Sequence, residues 1–318
     1  MPHIPKRSEI FIILNPKAAK GRALHHRKAI EDCFTKQNIP FRLVLSERSR
    51  DAIQLAREAV FAGHRTIVAA GGDGTVNEVV DGVIRATREL GLSQEESPVV
   101  GLLPIGRGND FAWFAKIPKN IKKGCALIAS GSWSAIDYGE LFGGKFPEGR
   151  CFVNGVGIGI EPLVNFMASD FKRISGMLSY LLGFIKVLLH FPDPMRVTVR
   201  NENEEFVLDT QQISLCNGRR MGSMFIMGPE AELDDGLLDV VYANKPVKKS
   251  EILRYAFRFF GGTQLKTDRF SLFRSTDVSI TAEEDVLVCH ADGEEVSRAC
   301  RSISVRLFPG ELKFIRNL

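Results

Sequence analysis

No C-x-x-C pair occurs in this sequence; its six cysteines, at 33, 125, 151, 216, 289 and 300, are scattered. That argues against both a zinc site and a disulfide framework and fits reduced, cytosolic thiols. The six histidines show no metal-ligand spacing, and neither an internal repeat nor a low-complexity tract is present. The apolar run in MPHIPKRSEIFIILNP is five residues long, too short for a secretion signal, and reads as a first strand. A membrane span is missing as well. In ISGMLSYLLGFIKVLLHF (174–191) the longest stretch without a charge is twelve residues, short of the roughly 20 that a spanning helix needs. The segment reads as a long apolar helix, either buried in a core or facing lipid.

What is present is an ordinary globular composition: 318 residues, 44% apolar and 25% charged, enough for two domains. The net charge of +4 is modest, but residues 1–50 hold eleven Lys or Arg against four Asp or Glu. Lys17, Lys20, Arg22, Arg27 and Lys28 make this region suited to phosphates or an acidic membrane surface, or simply to a solvated helix face. A nucleic-acid partner is not expected.

The first part alternates strand and helix: EIFIILNP, ALHHRKAIEDCFTKQN, FRLVLS, RDAIQLAREAVFAG, RTIVAA, TVNEVVDGVIRATREL, PVVGLLP, DFAWFAKI. This order predicts a doubly wound, mostly parallel α/β sheet with ligands beyond the carboxyl ends of its strands. After about residue 135 short β-rich runs take over, among them AIDYGELF, CFVNGVGIG, RVTVR, LLDVVYA, VLVCHADGE and SISVRLFP. They predict a β-rich antiparallel sandwich with helices inserted at about 163–191 and 248–260. The expected division is residues 1–135, with 306–318 returning to them, and residues 136–305.

The stretch AAGGDGTVNEVVDG puts Gly71, Gly72 and Gly74 around Asp73 just before a helix. Thr75 and Glu78 form a T-x-x-E capping pattern that predicts a helix start at about Val76. A glycine turn at a helix N-terminus offers backbone N–H groups and the positive end of a dipole to phosphate. Neither G-x-G-x-x-G nor G-K-[ST] is present. An aspartate inside a phosphate loop calls for a bridging cation, so Asp73 suggests Mg²⁺ and phosphoryl transfer; the alternative is a plain capped turn. The loop Gly106-Arg107-Gly108-Asn109-Asp110 repeats the logic at the next strand end. NPKAAKGR after the first strand supplies Lys17, Lys20 and Arg22. HADGEEV and GPEAELDDGLLDV are acidic turns with either a structural or a ligand-holding role.

In series, GGDGTVNEVVDG, GLLPIGRGNDFA, LDDGLLDV and the late D-G-E resemble the diacylglycerol kinase catalytic-domain family, in particular its soluble bacterial lipid kinases, and the likeness spans essentially the whole chain. The resemblance implies an N-terminal fold like that of NAD kinases and phosphofructokinases, with ATP and Mg²⁺ as cofactors. Asn15, Pro16, Lys17, Lys20 and Gly21 match the first nucleotide loop, with Ala19 where a glycine is usual. Ser46 matches a hydroxyl that contacts ATP. Gly71, Gly72, Asp73, Gly74, Thr75, Val76, Asn77 and Glu78 match the main nucleotide loop. Arg107 stands where many members have Thr or Ser, next to Asn109. Asp110 is implicated with Asp73 in the Mg²⁺-ATP site. Glu232, Asp235 and the carbonyl of Leu237 match a separate structural Mg²⁺ site, and Glu294 matches the catalytic base, with Glu295 as its neighbour and rival.

The resulting expectation is an ATP-dependent kinase for a membrane-lipid hydroxyl, diacylglycerol favoured, working in the cytoplasm at the inner membrane surface. Phosphatidylglycerol, a sphingoid base or NAD are alternative acceptors, and a non-catalytic nucleotide- or lipid-binding regulator is the rival of another class. An edge strand of either domain could pair with a second copy to make a homodimer.

Overall fold

The computed structural model describes residues 9–169 and 177–317. Part of the helix expected at 174–191 therefore lies outside the described residues. The chain divides into two compact units, Met1–Ile136 with Gly310–Leu318, and Asp137–Pro309.

The first unit is built on parallel strands in the order Phe41–Leu45, Ile10–Leu14, Thr66–Gly71 and Val99–Pro104. Ile10–Leu14 is buried at every position, as a strand covered on both faces requires, which is why IFIIL shows no alternation. Ile12, Leu14, Val68, Ala70 and Leu103 share an apolar cluster with Ile30 and Phe34 of the helix Arg27–Lys36. Cys125 and Ile128 of the helix Ile121–Ser130 join it. Helices Asp51–Phe61 and Asp73–Glu89 pack on each other. Two predicted helices differ from expectation. ALHHRKAIEDCFTKQN is α-helical only over Arg27–Lys36; ahead of it the 3₁₀ segment Ala18–His26 is broken at Ala19, Lys20 and Gly21, which are left-handed. DFAWFAKI yields only Asp110–Phe114, since Lys116 takes a positive φ.

The second unit holds two antiparallel layers. One runs Phe270–Ser275, Leu238–Ala243, Gln212–Cys216, Gly155–Gly159, Leu287–Ala291, Glu294–Cys300. In the other, Glu205–Thr210, Met195–Asn201, Asp277–Ala282 and the first half of Ser302–Ile315 pair in that order. Alternation places Met195, Val197 and Val199 inward and Arg196 and Arg200 outward. The inward residues share one core with Val156, Ile158, Ile213 and Leu215 of the first layer. The inserted helices are Ile160–Ser169, Met177–Leu189 and Ile252–Phe260. The Cys289 and Cys300 sulfurs lie 3.9 Å apart across a hairpin, unbonded.

The strand Ser302–Ile315 belongs to both units. Ser302 to Arg306 pair with Asp277–Ala282, while Phe314 pairs in parallel with Val100 of the first unit. Phe314 is fully buried and meets Phe111 edge-on, with centroids 4.9 Å apart. Phe314→Ala is expected to cost about 3–5 kcal/mol by leaving a cavity, read as a lower urea midpoint.

Candidate active site

The first loop leaves the strand Ile10–Leu14 at Asn15, whose amide joins three segments. Its N–H donates to the Ala70 carbonyl (3.0 Å), its Oδ1 accepts the Lys17 N–H (3.0 Å), and its Nδ2 donates to Thr75 Oγ1 (3.1 Å). Pro16 follows, and Lys17 Nζ reaches the Glu47 carbonyl (3.0 Å). Ala19 and Lys20 sit at φ 49° and 60°, ahead of Gly21 at 85°. A left-handed conformation at a residue with a Cβ costs about 1–2 kcal/mol, so this loop is held under strain. Ser46 is buried, and its N–H bonds to the Leu14 carbonyl (3.0 Å).

At the next strand end, the helix begins at Asp73, with Gly72 as its N-cap. The Gly72 carbonyl accepts from both Thr75 (2.9 Å) and Val76 (3.1 Å), so the capping pattern read at Thr75 and Glu78 is displaced. Thr75 instead fills the space that a glycine leaves: a Cβ on Gly71 would lie 2.3 Å from its Oγ1. Glu78 turns away to a neighbouring helix, accepting the Arg50 (3.0 Å) and Ala52 (3.2 Å) N–H groups. Val76 points into the core. Asp73 and Gly74 thus form a first turn whose N–H groups no carbonyl of the helix can take. Asn77 is fully buried, and neither its Oδ1 nor its Nδ2 has a partner among the described residues. Orphaned amide atoms cost about 1–3 kcal/mol each, so this side chain fits a site that receives a polar group.

The second loop is pressed against the first. A Cβ on Gly106 would lie 2.4 Å from the Gly72 Cα, and Ile105 N–H donates to the Gly71 carbonyl (2.7 Å). Asn109, left-handed at φ 51°, ties the loop by accepting the Gly106 N–H (3.0 Å) and donating to its carbonyl (2.9 Å). Asp73 Oδ1 accepts the Phe111 N–H (3.1 Å) and so caps the short helix that starts at the buried Asp110. Burial pushes the Asp73 carboxyl above its ordinary value, against the pull of the Phe111, Asn109 and Asp110 backbone N–H groups. A Mg²⁺ ligand needs an ionised oxygen turned outward. The Asp73 carboxylate faces backbone donors, so it fits a brace between loops better than a direct metal ligand. Arg107 stands exposed at the loop tip, with no side-chain partner among the described residues.

In the second unit, Glu232 pairs with Arg219 (2.8 Å), and Asp235 closes a turn by accepting the Leu237 N–H (3.0 Å). Asp137 locks the same turn through Gly236 N–H (2.8 Å). These three expected ligands offer two carboxylates, one already paired, and one carbonyl. Among the described residues no three His, Cys, Asp or Glu side chains gather as a metal site.

The D-G-E string is the tip of the hairpin formed by Leu287–Ala291 and Glu294–Cys300. Asp292 (φ 47°) and Gly293 (φ 82°) make the two-residue turn with both φ positive that matches strand twist. Asp292 is a structural clamp, accepting the N–H groups of Val153 (2.9 Å), Asn154 (3.0 Å) and Gly155 (2.8 Å). Behind the turn lies a polar chain that spacing did not reveal. Gly293 N–H donates to His290 Nδ1 (3.1 Å), and His290 Nε2 meets Glu161 Oε1 (2.9 Å). An amide can only donate, so Nδ1 is the bare nitrogen and the ring proton on Nε2 faces Glu161. Glu161 also receives Ser214 Oγ (3.3 Å), and Asn165 Nδ2 holds the Gly293 carbonyl (2.9 Å). Gly157, opposite His290 in the sheet, makes room: its Cβ would lie 2.5 Å from Glu161 Oε2.

Glu294 and Glu295 point to opposite faces of their strand. Glu295 is taken by Lys145 (2.5 Å) and Arg298 (2.6 Å), and first Lys145, then Arg298, hold its carboxyl below the ordinary value. Glu294 is 30% exposed, and its Oε2 rests on Arg150 (3.0 Å), whose side chain is 1% exposed. Its Oε1 takes no bond from any described residue, which leaves it free to accept a proton.

The chain matches the diacylglycerol kinase catalytic domain over residues 9–141 and the YegS C-terminal NAD kinase beta sandwich-like domain over 154–316. It belongs to the YegS-like lipid kinase family. Within that family it is 32% identical over 231 residues to a Cronobacter sakazakii protein named "Probable lipid kinase YegS-like", covering 72% of each chain. It is 28% identical over 316 residues to "Probable lipid kinase YegS" of Salmonella gallinarum, covering 95% of this chain and 94% of that one. In fold it is similar to a diacylglycerol kinase from Bacillus anthracis (TM-score 0.70, 20% identity, 99% and 98% covered). It is also similar in fold to an NAD kinase from Archaeoglobus fulgidus solved with ATP (TM-score 0.52, 12% identity, 96% and 93% covered).

Because Gly72 and Gly106 touch backbone to backbone, Gly106→Ala forces the loops apart at a cost of about 1–3 kcal/mol. Nucleotide affinity, measured by calorimetric titration with a non-hydrolysable ATP analogue, is expected to fall at least tenfold (about 1.4 kcal/mol).

Proposed function

We propose that this chain is an ATP-dependent lipid kinase that transfers the γ-phosphate of Mg²⁺-ATP to a hydroxyl of a membrane lipid, diacylglycerol favoured, giving phosphatidic acid. The observation that carries this reading is Glu294, fixed by a buried arginine with one carboxylate oxygen free, in a chain with a diacylglycerol kinase catalytic domain. The nucleotide phosphates rest on the first turn at Asp73 and Gly74, where backbone N–H groups and the helix dipole favour negative charge. Lys17, Lys20 and Arg107 add charge-assisted contacts to phosphate oxygens. Mg²⁺, carried by the triphosphate, would offset the charge of its oxygens; Asp73 acts by holding the second loop, and Asn77 offers its buried amide to a polar group.

In the transfer, Glu294 accepts the hydroxyl proton as the lipid oxygen forms a bond to the γ-phosphorus. The bond from that phosphorus to the bridging oxygen breaks, ADP leaves with the electron pair, and Glu294 returns its proton to solvent. The Arg150 guanidinium fixes the orientation of the carboxylate through Oε2, and the turn beneath it is fixed by Asp292 and His290. Among the described residues no helix is long and apolar enough to cross a membrane. The proposed place of action is accordingly the surface of the cytoplasmic leaflet.

Glu294→Gln is expected to abolish transfer of label from ATP to lipid while leaving ATP affinity intact. Chromatography of the products, with NAD and a panel of lipids as acceptors, checks it; label appearing in NAD and in no lipid would overturn the reading. The brace at Asp73 has its own test. Asp73→Ala is expected to weaken ATP binding at least about tenfold through loss of a charge-assisted bond of about 1.5–3 kcal/mol. Asp73→Asn, which keeps an acceptor for the Phe111 N–H, should recover most of that loss in the same titration.

A further inference from the structure

The helix Ile252–Phe260 has two unlike faces. Ile252, Tyr255 and Phe259 are buried in an apolar cluster, with Phe259 edge-on to Phe270 at 5.0 Å. The opposite face carries Leu253, Phe257 and Phe260, which are 55%, 66% and 41% exposed. Spaced four and three residues apart, they form a continuous ridge along one side of the helix. Arg254 and Arg258 flank this ridge and have no side-chain partner among the described residues; Lys248 and Lys249 just precede the helix in the same condition. Residues 245–269 contain seven Lys or Arg and two acidic residues, and one of those cations, Arg269, is already paired with Glu251 (3.6 Å).

Exposed phenylalanines cost free energy in water, and unpaired arginines beside them do nothing for the fold. Together they make the pattern of a helix that lies in a lipid interface, apolar side down and cations among headgroups. We propose that the helix Ile252–Phe260 docks this protein on an anionic membrane, Leu253, Phe257 and Phe260 entering the acyl boundary while Arg254, Arg258 and the preceding lysines contact headgroup phosphates. The proposal rests on the lipid-kinase reading for its purpose, but its physical basis is the helix alone. Charge selects this occupant: a second copy of the same face would bring its arginines and lysines against their own kind. The buried side of the helix shares its apolar cluster with Ile160 and Val164 of the helix Ile160–Ser169. That helix in turn holds the Glu294 turn through Glu161 and Asn165. Docking face and reacting carboxylate are thus built on one helical layer of the second unit.

The test is co-sedimentation of the full chain with vesicles of phosphatidylglycerol and phosphatidylcholine, against phosphatidylcholine alone. Wild type should prefer the anionic vesicles, in a salt-sensitive way. Leu253→Ser with Phe257→Ser should lower partitioning at least about tenfold, as loss of buried apolar area predicts. Arg254→Gln with Arg258→Gln should lower it about 25-fold for anionic vesicles only, at about fivefold per cation. These side chains are exposed, so neither variant empties a core. Binding of both variants equal to wild type, or wild type indifferent to lipid charge, overturns the proposal. So does a serine variant that turns a dimer into a monomer in size-exclusion chromatography while keeping its vesicle affinity. Activity in mixed micelles of lipid and non-ionic detergent separates this from the kinase reading. The docking variants should keep the wild-type micellar rate and lose only the vesicle rate. A wild type that sediments with anionic vesicles but phosphorylates no lipid in micelles overturns the kinase reading and leaves the docking face standing.

Discussion

Two glycine backbones in contact organise the first unit's loops. Gly72 and Gly106 approach so closely that a Cβ on Gly106 would lie 2.4 Å from the Gly72 Cα and one on Gly72 would be tight against Gly106, and that approach brings the Asp73 carboxylate onto the backbone of the second loop. Asn15 adds the first loop through its bond to Thr75. Three strand ends thereby act as one rigid surface of N–H groups. Rigidity of this kind suits phosphoryl transfer, in which the protein contributes mainly positioning and fixed electrostatics.

The second unit solves a related problem with side chains. The Glu294 turn is clamped below by Asp292 and from behind by His290 and Asn165, and the carboxylate itself leans on a buried arginine. A buried arginine is costly to leave without its carboxylate, so the pair holds the orientation of Glu294 strongly. Glu295, one residue on, is drawn to the other face by Lys145 and Arg298. The choice between two adjacent glutamates is thus decided by strand alternation and by which cations each face supplies.

Much of this was legible in the sequence because it depends on local pattern. IFIIL and PVVGLLP announce strands buried on both faces, and the clustering of glycines with Asp73 and Asp110 announces loops at strand ends. What was not legible depends on contacts between distant segments. Thr75 and Glu78 look like a cap, yet the Gly72 carbonyl starts the helix earlier and Glu78 serves Arg50 and Ala52. His290 and Glu161 are 129 residues apart and carry no motif, so only the sheet register that sets His290 opposite Gly157 reveals them. The nearness of Cys289 and Cys300 has the same origin, a hairpin register that spacing alone does not disclose.

The strand Ser302–Ile315 also sets the order in which the molecule can be completed. Lys313 bonds to the Glu95 carbonyl across 218 residues of sequence, and Phe314 fills the first unit beside Phe111. On the ribosome, residues 137–309 must all be made before that strand can be added to the sheet begun by IFIIL. The glycine loops therefore wait, on an unfinished scaffold, for a piece that emerges after the entire second unit. A chain interrupted anywhere in between has every residue of the glycine loops and lacks the wall that Phe111 leans on. Such fragments are natural targets for chaperones and proteases, and the closed arrangement of the loops becomes a property of the finished chain.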